Sequence, residues 1–135
     1  MPGVYADTCV VINAFKGRDP NVQTQCERLL ADTRAGLLYS DFHRLELLPK
    51  PLRERARQEI KFIRCFFSRA TRVDLETKTV VRRAVELARK YGVKPLDALH
   101  LAAAIIGQAD RFVTTEGSTS PILRVREIKV ETFAD

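Results

Sequence analysis

Hydrophobic and polar positions along the chain switch repeatedly between a short apolar run and a helical period. Val4–Ala6 is apolar and stops at Asp7, which reads as a short buried strand. Asn21–Thr33 places Val22, Cys26, Leu29, Leu30 and Thr33 on one helical face. Gly36 interrupts the pattern, and Leu37–Ser40 reads as a second strand. A short helix is expected around Phe42–Leu48. Pro49 and Pro51 end it and open a longer helix, Leu52–Arg69, with Ala56, Ile60, Ile63, Phe66 and Phe67 on its apolar side. Arg72–Leu75 reads as a third, edge strand. Thr77–Tyr91 is amphipathic, with Val80, Val81, Ala84, Ala88 and Tyr91 inward and Gly92 suited to its C-terminal cap. Lys94–Gln108 is a strongly apolar helix with Pro95 near its first turn. Phe112–Thr114 and Lys129–Phe133 complete five strands. Strands alternating with helices predict an α/β class with a mostly parallel sheet. In such sheets ligands bind beyond the carboxyl ends of the strands, where strand order reverses.

Composition narrows this picture. A chain of 135 residues that is 45% hydrophobic is expected to form one domain, 1–135, with a real core. No apolar run is long enough to span a bilayer, and no basic-then-apolar leader is visible, so the expected location is cytoplasmic with no membrane partner. Cys9, Cys26 and Cys65 are far apart and form no C-x-x-C pair, which argues against a disulfide framework or a zinc site. The net charge of +6 equals the surplus of one segment, Arg44–Arg72, which holds nine basic and three acidic residues. That segment is either a solvated helix face or a phosphate-contacting surface, with Arg44, Lys50 and Arg53 as candidate contacts.

The acids carry the chemistry. Asp7 ends the first strand, Glu46 lies in the helix after the second, Asp97 in the first turn of "KPLDALHLAAAII", and Glu116 after the fourth strand in "RFVTTEGSTS". Each alone has an ordinary explanation, such as Asp97 favouring a helix N-terminus. Together they fall at one sheet edge. Gathered carboxylates repel and retain protons unless a divalent cation favours their ionised forms. Oxygen ligands suit Mg²⁺ or Mn²⁺, which assist displacement at phosphorus. Asp110 begins the fourth strand and is expected at the far end of it. His43 and His100 lie one helical turn from Glu46 and Asp97, where packing or a supporting role is expected, with His100 hydrogen-bonding locally.

The same residues resemble the PIN-domain ribonuclease family over nearly the whole chain. "YADTCVVINAF" is similar to its first motif, "SDFHRLELL" to its second, and "YGVKPLDALHLAAAIIGQADRFVTTE" to its third and fourth. The resemblance implies a three-layer PIN-like fold with a central five-stranded sheet flanked by helices. It makes Asp7, Glu46 and Asp97 the core metal-binding acids and Glu116 the fourth. Thr8 matches the small hydroxyl residue after the first Asp, which the resemblance implies orients either that carboxylate or a metal-bound water, and Ser40 matches the polar residue ending strand two. Two departures stand out. Cys9 replaces a frequent Asn, which is expected to remove a polar contact behind Asp7, and Glu116 replaces the usual Asp.

The function implied is a Mg²⁺- or Mn²⁺-dependent endoribonuclease that leaves 5′-phosphate and 3′-hydroxyl ends. Size and pattern also resemble the VapC-like toxins, which implies an RNA substrate, an antitoxin partner and a homodimer. Phe62, Phe66 and Phe67 are either core or part of an apolar groove for such a partner. The alternative is a PIN-like module that binds RNA or protein without cutting. A phosphoacceptor domain would need acids paired after the first strand, and Asp7 has no acidic neighbour.

Overall fold

The computed structural model describes residues 3–134. Five strands form one sheet: β1 (Gly3–Ala6), β2 (Gly36–Tyr39), β3 (Thr71–Arg72), β4 (Arg111–Thr114) and β5 (Lys129–Thr132). Their order is β3-β2-β1-β4-β5, and every neighbouring pair is parallel. The switch point lies between β1 and β4, because the chain leaves β1 toward β2 on one side and returns as β4 on the other. Central strands of a parallel sheet are covered on both faces and are therefore apolar throughout. Val4, Tyr5 and Ala6 in β1, and Phe112, Val113 and Thr114 in β4, are accordingly all buried.

Seven helices cover the sheet: α1 (Thr8–Lys16), α2 (Pro20–Ala31), α3 (Asp41–Leu47), α4 (Pro49–Glu54), α5 (Arg57–Arg69), α6 (Thr77–Tyr91) and α7 (Pro95–Ile106). A 3₁₀ turn spans Pro121–Arg124. One face of the sheet packs Val10, Val11 and Ala14 of α1, Leu29 and Leu30 of α2, and Ile63 and Phe66 of α5 against Val4, Ala6 and Val113. The other packs Leu87 of α6, Leu101 of α7 and Ile122 of the turn against Tyr5 and Phe112. The result is the three-layer α/β arrangement expected, with a sheet that is parallel throughout.

Local chemistry explains the helix ends. Asp19 caps α2 by accepting from the Asn21 and Val22 amides, with Pro20 in the first turn. Gly92 closes α6 in the left-handed region, φ 72°, which a glycine adopts without a Cβ clash. Ser40 caps α3 rather than ending β2, and His43 completes a capping box in the place usually taken by Glu or Gln.

Four expectations are corrected. The Leu52–Arg69 helix is two helices, because Arg55 turns left-handed (φ 53°) and Ala56 leaves the helical region (φ −79°, ψ 81°). In α6 Val81 faces solvent and Leu87 takes the inward place, since Val80, Ala84 and Leu87 define the buried stripe. Thr33 lies beyond the end of α2 and is exposed. The third strand is shorter than Arg72–Leu75, although the Val73 amide still donates to the Tyr39 carbonyl at 2.7 Å.

Candidate active site

β1 ends at Asp7, whose amide still donates to the Val113 carbonyl of β4 at 2.8 Å. Asp7 is therefore placed by the sheet, and it also caps α1. Its side chain is buried, and each oxygen has a protein donor. Oδ1 accepts from the Thr8 amide at 2.8 Å, and Oδ2 from the Thr114 hydroxyl at 3.1 Å. Cys9 Sγ lies 3.5 Å from the same Oδ2, 3.4 Å from Thr114 Oγ1, and accepts from the Thr115 amide at 3.3 Å. The expected absence of a polar group behind Asp7 is thus corrected: the thiol fills the position with weak hydrogen bonds of its own. Burial and the Asp7 charge push that thiol up to about 12, so it stays protonated as a donor.

Glu46 projects from α3, and its Oε1 accepts from Thr8 Oγ1 at 3.0 Å and from His100 Nε2 at 2.5 Å. Burial alone would raise its carboxyl, but the His100 and Thr8 hydrogen bonds outweigh burial and hold it below the usual range. His100 does not bond locally as expected. Its partners are Glu46 and Tyr5, far away in sequence, with Tyr5 Oη 2.7 Å from Nδ1. His43 is also buried; its Nε2 donates to the Ala6 carbonyl at 2.6 Å and Nδ1 accepts from the Ser40 amide. Burial, then the nearby His100 charge, pushes it down to about 3, so it is a neutral brace between α3 and β1.

Asp97 sits in the first turn of α7, where the helix dipole favours its charge. Even so, burial and then the charges of Asp7, Glu116 and Glu46 push it up to about 6, against an opposing pull from His100. These acids therefore act on Asp97 from three other segments of the chain. Glu116 stands just past β4 on an exposed loop. Its amide donates to Thr114 Oγ1 at 3.2 Å, and its carbonyl accepts from Thr132 Oγ1 at 2.6 Å. Among the described residues, neither Asp97 nor Glu116 has a side-chain hydrogen bond or ion pair, and the pocket holds no Lys or Arg partner for any of the acids.

That surplus of negative charge is the test of fit for a divalent cation. The donor set is oxygen, no Lys or Arg pairs with these acids among the described residues, and two of the carboxylates are untethered. Among the described residues no group of three or more His, Cys, Asp or Glu side chains is arranged to hold a metal ion as it stands. The residues fit a hard cation that keeps several waters, not a preformed cage.

The other expected residues fall elsewhere. Ser40 is buried behind the site, its Oγ 2.7 Å from Tyr5 Oη. Asp110 is at the opposite end of β4 and accepts from the Gly3 amide, as expected from its position. Arg44 lies over the Phe67 and Tyr39 rings and reaches Tyr39 Oη at 3.1 Å, so it is committed to packing. Lys50 and Arg53 are exposed on α4. Phe66 is core, Phe67 lies beneath Arg44, and Phe62 is half-buried against Phe15. Thr114 was not anticipated. Its only signal in the sequence is a hydroxyl residue that closes an apolar strand.

Fold and site together define a parallel α/β domain with a group of acids at its switch point. The chain belongs to the PIN domain family: that family's profile matches residues 4–118. A comparison with curated proteins found no match. Among solved structures, the chain is similar to one in the VapBC2 complex of Rickettsia felis bound to a promoter DNA fragment. That match has 19% identity and a TM-score of 0.71, covering 96% of this chain and 98% of the other. A toxin–antitoxin complex from Klebsiella pneumoniae gives 20% identity and 0.70, covering 96% and 97%. DNA-bound VapBC from Salmonella typhimurium gives 20% and 0.67, covering 98% and 99%. These likenesses establish the fold. Among the described residues no helix is long and apolar enough to cross a membrane.

Proposed function

We propose that this chain is a metal-dependent endoribonuclease and the toxin of a toxin–antitoxin pair. The observation that carries the reading is the half-buried Asp97, pushed upward by burial and by Asp7, Glu116 and Glu46, with His100 as the one opposing charge and no Lys or Arg paired with any of these acids among the described residues. Asp7, Glu46, Asp97 and Glu116 would hold Mg²⁺ or Mn²⁺. When bound, the ion would supply charge neutralisation at the scissile phosphate and a lowered pKa for the attacking water. The protein's part is orientation and proton control. Thr8 and Thr114 fix Asp7, Thr8 also fixes one oxygen of Glu46, and Asp97 would have to be ionised to serve as a ligand. Lys50 and Arg53 offer free positive charge to the RNA backbone, with Arg44 as a weaker contributor.

The antitoxin partner is supported by the VapBC complexes that share this fold. The chain then acts in the cytoplasm as a single domain, paired with a second copy and released from its antitoxin to cut RNA. One observation favours a second reading, an RNA- or protein-binding module: no ready-made cation shell exists among the described residues.

The test is RNA cleavage by purified, antitoxin-free chain with Mn²⁺ or Mg²⁺, against EDTA and Asp97→Asn. Cleavage lost in both controls is the expected result. RNA binding with neither cleavage nor cation binding would replace the nuclease with the binding module.

A further inference from the structure

His100 lies within a line of buried hydrogen bonds that cleavage chemistry does not itself require. Ser40 Oγ is 2.7 Å from Tyr5 Oη, Tyr5 Oη is 2.7 Å from His100 Nδ1, and His100 Nε2 is 2.5 Å from Glu46 Oε1. Ser40, Tyr5 and His100 are each fully buried. The line runs from the start of α3, through β1, to α7, and back to α3 at Glu46.

Its direction follows from the acid end. An ionised carboxylate only accepts, so Nε2 must carry a proton toward Glu46. With Nδ1 bare, Tyr5 donates to it and accepts a hydrogen bond from Ser40. With Nδ1 protonated, Tyr5 accepts and donates to Ser40. Either arrangement leaves the Nε2 proton aimed at Glu46. The ring is also clamped from the sides, edge-on to Tyr5 at 5.8 Å and to Phe42 at 6.0 Å between centroids.

The two donors to Glu46 land on the same atom. Thr8 from α1 and His100 from α7 both bond Oε1, and Oε2 has no partner among the described residues. A long side chain on a seven-residue helix is thereby held by one oxygen with the other left open. His100 is three residues after Asp97, so a single turn of α7 supplies one acid and the brace for another.

We propose that His100, oriented by Tyr5, is a positioning residue that holds Glu46 Oε1 so that Oε2 is presented to the divalent cation. This rests on the nuclease reading above. The rival account is that His100 is a core residue that merely has its hydrogen bonds satisfied.

Mn²⁺ binding to the full chain, measured by calorimetry without RNA, separates the two. Circular dichroism and thermal melting check folding. Loss of an outer partner typically weakens metal binding by ten to a hundredfold, so His100→Leu is expected to weaken Mn²⁺ binding about tenfold. His100→Gln, which keeps an N–H donor near the Nε2 position, is expected to recover most of that loss. Tyr5→Phe, which leaves the ring but frees it to turn, is expected to fall about threefold, below the full loss of a partner. Folded His100→Leu that binds as the parent does, or His100→Gln as weak as His100→Leu, overturns the positioning role. If His100→Leu fails to fold, Tyr5→Phe decides, and parental affinity there overturns it. A parent chain that binds no Mn²⁺ overturns the nuclease reading and this proposal with it. Parental binding with unchanged variants overturns the positioning role alone.

Discussion

Thr114 Oγ1 stands between Asp7 and Glu116. It donates to Asp7 Oδ2 at 3.1 Å and accepts from the Glu116 amide at 3.2 Å. One hydroxyl thus joins the two strands of the switch point at the acid pocket. Thr114→Val keeps the shape and removes both bonds. Asp7 Oδ2 then keeps only the weak, 3.5 Å Cys9 thiol as a donor; an under-satisfied buried acceptor costs roughly 1–3 kcal/mol, so urea unfolding is expected to show a loss toward the lower end of that range. Thr114→Ser, which keeps the hydroxyl, is expected to lose much less. Equal losses would assign the effect to the missing methyl.

Asp97 predicts a pH dependence with a definite sign. A carboxyl raised from 3.8 to about 6 binds its proton more tightly in the folded chain. It therefore favours the fold at low pH, and that contribution is lost as pH rises through this window. Asp97→Asn is expected to raise the melting temperature of metal-free protein at pH 7 and to leave it nearly unchanged near pH 4. A lower melting temperature at pH 7 would show that the carboxylate is stabilised by a partner, not repelled.

Gly107 predicts a packing clash. A Cβ there would lie 2.8 Å from Val73 Cγ2 and 3.1 Å from the Ala103 carbonyl. Its backbone angle is ordinary, so space and not conformation demands glycine. Overpacking of this kind costs about 1–3 kcal/mol, which chemical denaturation of Gly107→Ala should show. Adding Val73→Ala is expected to return part of the loss.

The basic segment predicts a split. Arg44 lies 4.6 Å above the Phe67 ring. Arg44→Ala is expected to lose about 0.5–1 kcal/mol of stability and little RNA affinity. Lys50→Ala with Arg53→Ala is expected to leave stability unchanged and to make RNA binding less sensitive to salt. The slope of log affinity against log salt should fall by about one for each phosphate no longer neutralised. Filter binding across a salt series reads both.

The elements that were legible in the sequence have a strong local cause. Thr77–Tyr91 ends at Gly92 as expected because only a glycine enters that left-handed turn freely. Val4–Ala6 stands out because both faces of a central parallel strand are covered. The acids were legible as ends of elements, which places them at one edge. What escaped has tertiary causes. Arg55 and Ala56 are ordinary helix formers, and nothing in them announces a break. Val80 and Val81 are adjacent and equally apolar, so only packing decides which is buried. Tyr5 and His100 lie 95 positions apart, and no local pattern joins them.

The loop that carries Glu116 is strapped down from the edge of the sheet. Thr132 bonds the Glu116 carbonyl, and the Phe133 amide donates to the Thr114 carbonyl at 3.0 Å. Both straps belong to β5 and the residue just after it. Asp7 is bonded to Thr114, which follows 107 positions later. The acidic corner is therefore fastened only by contacts between segments far apart in the chain, and it closes only when β5 and the residue just after it are in place.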